Sequence, residues 1–152
     1  MPTRLQWMPL LALTMLLLGG CGKDKEDETP EPEPTTLNKQ VTLNIFTETD
    51  YSDSRWKDSK MKLTLRLKRV AHNPHQEVVV LDTTMGWLTF QELPKPSSKM
   101  QLIKKFNGVS REHEDIVISV SKLISINGYE STFAHSLTLE RNKENELVDI
   151  KL

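Results

Sequence analysis

From residue 37 onward the hydrophobic and polar positions alternate with a period of two, the mark of strands with one buried face. "VTLNI" puts Val41, Leu43 and Ile45 on one side. "MKLTLRLK" is the clearest instance: Met61, Leu63, Leu65 and Leu67 go inward, while Lys62, Thr64, Arg66 and Lys68 go out. "DIVISVSKLISI" sets Ile116, Ile118, Val120, Ile124 and Ile126 on one parity, interrupted by Lys122. "EVVVLDTT" is a continuous run rich in β-branched residues, the pattern expected of a central strand. "WLTFQEL" (87–93), bounded by Gly86 and Pro94, is read as a further strand, with "KMQLIKKF", "STFAHSLTLE" and "ELVDIKL" completing the set. No segment holds a helical period; only "DYSDSRWKDS" has room for a short turn of helix.

The punctuation agrees with strands. Asn107-Gly108 and Asn127-Gly128 tolerate positive φ and signal tight turns. "HNPH" (72–75) separates two predicted strands, and "RNKENE" (141–146) reads as a polar hairpin tip. About seven strands over residues 37–152 predict an all-β fold, an antiparallel β-sandwich with an immunoglobulin-like or transthyretin-like layout. Any immunoglobulin likeness is architectural, because the chain has one cysteine and cannot form that family's disulfide.

That cysteine lies outside the predicted sandwich, and its surroundings divide the chain. Arg4 precedes an apolar run, Leu10 to Leu18, of nine residues. The run is far short of the ~20 residues a membrane-crossing helix needs, so residues 1–20 read as a signal peptide. Next come Leu18, Gly19, Gly20 and Cys21, in which small residues just ahead of the cysteine let the chain lie extended in a peptidase site. This order resembles the lipobox of bacterial lipoproteins. The resemblance implies cleavage before Cys21, a diacylglycerol on its sulfur and an acyl chain, such as palmitate, on its new amine. Each buried methylene adds about 0.8 kcal/mol, so three chains would hold the protein on a membrane almost permanently.

After Cys21 comes "GKDKEDE", similar to the export signal of Bacteroidota-type surface lipoproteins. The resemblance implies an outer-membrane location, at the cell surface, with the periplasmic face as the alternative. Residues 21–36 form a tether without a large apolar side chain. Its Pro30, Pro32 and Pro34 forbid a helix and favour extended backbone. Its reach is about 45 Å at ~3.1 Å per residue. The tether carries two lysines against six acids, whereas residues 37–152 hold 17 basic and 15 acidic residues. With a net charge of −1 over the whole chain, nothing points to nucleic acid as a partner.

Candidate chemistry is sparse. Asp82-Thr83-Thr84 lacks the glycine of an aspartic-protease loop and occurs once. His72 and His75 are three apart in a proline turn, with no further ligand specified by the spacing. Glu48, Asp50 and Asp53 lack the glycine and closing glutamate of a calcium loop. No nucleophile elbow, phosphate loop or dinucleotide fingerprint occurs. The sequence therefore gives no support for catalysis, a cofactor or a metal. The candidates for ligand contact are the outward row Lys62, Arg66 and Lys68, with Lys60 beside it, and Trp56 in the charged segment "DSRWKD". Trp87, among apolar residues, reads as core. The expected role is a lipid-anchored binding or structural module of the cell envelope, with the membrane as one partner and a glycan or an envelope protein as another. Two specific alternatives are a glycan-binding accessory of polysaccharide uptake and a component of pilus or adhesin assembly.

Overall fold

In the computed structural model, residues 35–152 are described; the segments expected to be a signal peptide and a tether, up to residue 34 and including Cys21, lie outside them. Eight strands follow in order: β1 (Thr36–Phe46), β2 (Lys60–His72), β3 (His75–Thr84), β4 (Leu88–Thr89), β5 (Met100–Ser110), β6 (Glu114–Ile126), β7 (Tyr129–Thr138) and β8 (Asn145–Lys151). β1 opens at Thr36, one residue before the expected domain start. Among the described residues there is no α-helix; three short 3₁₀ turns occupy Ser54–Trp56, Phe90–Glu92 and Pro96–Ser98.

The strands form an all-β sandwich. One sheet runs β5-β1-β8; the other runs β3-β2-β6-β7, with β4 extending the β3 side of β2. All pairings are antiparallel except β1 with β8. That parallel pair is compatible with chain connectivity because nearly the whole fold intervenes between the two strands. Leaving out the two-residue β4, the order departs from the ABED and CFG sheets of immunoglobulin constant domains.

The alternation read from the sequence places the core. Val41, Leu43 and Ile45 from β1, Leu63, Leu65 and Leu67 from β2, and Ile116, Ile118 and Val120 from β6 meet Phe106, Val109 and Ile150 between the sheets. Full burial of one such side chain contributes about 1.5–3 kcal/mol. A smaller cluster of Met61, Phe90 and Leu93 closes one end of the sandwich.

Lys39 shares the inward parity of Val41 and is only 2% exposed. Its Nζ donates to the carbonyls of Glu140 and Lys143, each at 2.7 Å, and lies 2.7 Å from Glu146 Oε2. The contact to Glu146 is a charge contact without hydrogen-bond alignment, since that oxygen accepts no hydrogen bond. Lys39 thereby fastens the connection from β7 to β8 onto β1.

Several expectations are corrected. "EVVVLDTT" forms β3 at a sheet edge, not the centre, and Val78 and Val79 are half exposed. A register shift opposite Leu67/Lys68 breaks its pairing with β2, so a β-branched run here serves an irregular edge. "WLTFQEL" yields only the two residues of β4. Glu92 accepts from the Thr89 amide and hydroxyl, a capping box that turns the chain into the Phe90–Glu92 helix. Asn107-Gly108 makes no hairpin turn; Gly108, at φ +58°, sits in an irregularity inside β5 and donates its amide to Asn38 Oδ1. Asn127-Gly128 does make the tight β6–β7 turn, with φ of 51° and 85°. "RNKENE" is no hairpin tip, because β8 leaves β7 and joins the opposite sheet beside β1.

Candidate functional site

The outward row on β2 exists, but acids on β3 lace it. Arg66 donates twice to Asp82, at 3.0 and 2.6 Å, and Lys68 lies 2.7 Å from Glu77. Glu77 is held below the ordinary carboxylate range by the hydrogen bond from Lys68. Asp82, singled out in the Asp-Thr-Thr segment, thus serves as the partner of Arg66. Lys62 sits in the same row, and Lys60 places its ammonium 4.9 Å from the Trp87 ring centroid. A polyanion laid along this row would meet paired charges at Arg66 and Lys68.

The tryptophans exchange their expected places. Trp87 is 38% exposed rather than core. Trp56 is partly buried and packs with Tyr51 and Phe90, at centroid distances of 5.4 and 5.7 Å, on the cluster around Met61. Met61 faces inward whereas Lys62, Arg66 and Lys68 face outward, so the structure does not gather Trp56 and the basic row into one site. The reason is local. Asp53 accepts from the Arg55 amide and starts a 3₁₀ turn that swings Trp56 onto Phe90.

His72 and several acids near the loops have structural partners. His72 Nε2 lies 2.7 Å from Asp115 Oδ2, and Arg141 donates to the same carboxylate. Arg141, then His72, holds Asp115 below its ordinary range despite partial burial. Arg69 clasps Glu114 and also donates to the carbonyls of Asn107 and Gly108, bridging the sheets; Glu114 is lowered chiefly by that guanidinium. Glu48 pairs with Lys151, Asp50 accepts from Ser52, and Asp53 caps its turn. Among the described residues no group of three His, Cys, Asp or Glu side chains is arranged to hold a metal.

The feature least expected from the sequence is β7. Its inward parity, Tyr129, Ser131, Phe133, His135 and Leu137, carries the alternation of a buried strand, yet every residue of the strand is exposed. Tyr129 is 82%, Phe133 58% and Leu137 45% exposed. Among the described residues β7 is the outermost strand of the wider sheet, whose path β3-β2-β6-β7 has four strands against three in β5-β1-β8. An open groove of about 440 Å³ is lined by Ile124, Ile126, Asn127, Tyr129, Ser131 and Phe133. Lys122, whose parity is inward, crosses this open side to donate to the carbonyl of Lys151 in β8, and its burial pushes its ammonium below the ordinary value. The outer face of the same sheet carries an open, hydroxyl-bearing hollow of about 590 Å³ lined by residues that include Thr64, Arg66, Ser119, Ser121, Ala134 and Ser136.

Comparison of the chain with protein-family models, with curated proteins and with solved structures finds no match.

Proposed function

We propose that the chain is a lipid-anchored β-sandwich of the bacterial cell envelope, held at the outer membrane through Cys21 and displayed at the cell surface, where it acts as a non-catalytic binding module. The observation that carries this reading is the sequence Leu18-Gly19-Gly20-Cys21, placed after an apolar leader and before an acidic, proline-rich tether. A β-sandwich whose first strand opens at Thr36, beside the expected end of the tether, and whose core includes Val41, Leu43 and Ile45, supports the reading of a folded module behind a leash. Replacing Cys21 with Ser tests the anchor. The wild type should partition with membranes, be digested by protease added to intact cells and incorporate labelled palmitate, whereas the variant should take up no label. Equal label uptake by the variant, or none by the wild type, refutes the reading.

Within binding roles, assembly is favoured over glycan uptake by two observations. The sandwich has a long exposed edge strand, and Trp56 is half-buried, packed against Tyr51 and Phe90 with the Arg55 guanidinium 5.4 Å from its ring centroid. Tryptophan fluorescence that shifts on addition of polysaccharide would reverse that preference, with Trp87 as the reporter.

A further inference from the structure

We infer that β7 is a self-association strand, pairing antiparallel with β7 of a second copy of this chain about a twofold axis at Ala134. The inference deepens the assembly reading and takes from it only the location at the envelope.

The four long edges of the sandwich are not equally protected. Native sheets guard their edges with lysines, inward or outward charges, bulges and shortness. β5 carries Lys104 and Lys105 and an irregularity at Gly108. β3 carries Glu77 and Asp82 and a register shift. β8 has seven residues, among them Glu146, Asp149 and Lys151. β7 has ten residues, "YESTFAHSLT", without lysine, proline or register shift. Its single formal charge at neutral pH is Glu130.

The backbone is set for a partner. In the tight hairpin closed by Ile126 and Tyr129, the odd-numbered residues of β7 bond to β6, and Leu139 continues this with its amide on the carbonyl of Ile116. Glu130, Thr132, Ala134, Ser136 and Thr138 therefore direct their N–H and C=O groups away from the sheet. A second β7 laid antiparallel and centred on Ala134 matches all of them.

The side chains of that register are compatible with themselves. On the outer face Ala134 meets its own copy, Thr132 meets Ser136, and Glu130 meets Thr138, so no like charges are opposed. On the inner face Phe133 lies beside His135 of the other copy and diagonal to its Leu137, which brings together the apolar side chains that each copy leaves uncovered. A guest strand on β8 fits less well, since that edge is short and charged and Lys122 already reaches its last carbonyl. A shared membrane surface would raise the effective concentration of the two strands.

The test uses the full chain in membranes. In the proposed register the Cα atoms at position 134 approach to about 5.5 Å, within disulfide reach. Ala134→Cys should give a disulfide-linked dimer on oxidation with copper phenanthroline, while Val79→Cys on the guarded β3 edge stays monomeric. In detergent the wild type should sediment as a dimer, and Ala134→Lys, which sets two ammonium groups face to face, should weaken association at least tenfold with unchanged circular dichroism. A monomeric wild type, an Ala134→Lys dimer of wild-type strength, or cross-linking of position 134 to a different polypeptide overturns the inference. A disulfide through Cys21 in the wild type would instead sink the lipid anchor and leave the strand pairing standing.

Discussion

Lys39 offers the sharpest test of how the fold is held. Replacing it with Met keeps the aliphatic stem and removes the ammonium. The carbonyls of Glu140 and Lys143 then lose their donor, and the Glu146 carboxylate, 10% exposed, loses its counter-charge. An unpaired buried polar group costs about 1–3 kcal/mol, and breaking a buried ion pair from one side costs about 3–5 kcal/mol. Because the new methionine recovers some apolar burial, the expected loss is about 3–5 kcal/mol rather than the full sum. Equilibrium urea unfolding reads this directly. With a slope of about 2 kcal/mol/M, the midpoint should fall by about 2 M with the slope unchanged. Glu146→Gln, which leaves Lys39 its two carbonyls, should cost markedly less, and amide exchange should accelerate first in residues 140–144 of Lys39→Met. A midpoint shift below about 0.5 M in Lys39→Met would refute the reasoning, because the ammonium would then not be fastening the β7–β8 connection.

Other substitutions probe the remaining elements. Leu65, at 0% exposure in the middle of β2, should cost about 3–5 kcal/mol as Leu65→Ala, measured by the same unfolding assay. Gly128 has φ of 85° in the β6–β7 turn, so Gly128→Val should cost about 1–2 kcal/mol through strain alone, with Gly86→Ala near neutral because open space surrounds that position. Glu114 and Asp115 have folded values pulled below their ordinary 4.5 and 3.8 by Arg69 and by Arg141 with His72. Depressed carboxylates stabilise the fold above those ordinary values and lose that contribution as pH falls through the folded ones. Stability should therefore decline from about pH 4.5 downward, and Arg69→Met should flatten that acid limb in denaturation curves taken between pH 3 and 7.

Much of the sandwich is legible in the chain because its central strands obey one rule. β2 and β6 pair without a register shift, so strict alternation in "MKLTLRLK" and "DIVISVS" translates directly into a buried face. Asn127-Gly128 is legible for the same reason: a two-residue turn is a local event. What sequence patterning misses depends on partners far along the chain. Nothing within "EVVVLDTT" says that its partner β2 lies on one side only, and nothing in "RNKENE" says that β8 will seek β1. Lys39 looks like a solvent-facing lysine until its parity with Val41 is followed inward. Conversely, Tyr129, Phe133 and Leu137 look buried, because alternation reports which way a side chain points and not whether a second sheet is there to meet it. Local composition misleads for the tryptophans: a charged neighbourhood does not fully expose Trp56 once Asp53 turns it onto Phe90. Of the residues expected to contact a ligand, Lys62, Arg66 and Lys68 share the predicted face, and Trp56 does not join them.

The anchor at Cys21 is the claim to which location and partner class both answer. Intact-mass measurement of the mature chain extracted from membranes addresses it directly. The account predicts a polypeptide that begins at Cys21 and carries the added mass of a diacylglycerol and one amide-linked acyl chain. A chain that still begins at Met1, or one that begins elsewhere with a bare Cys21 thiol, contradicts it.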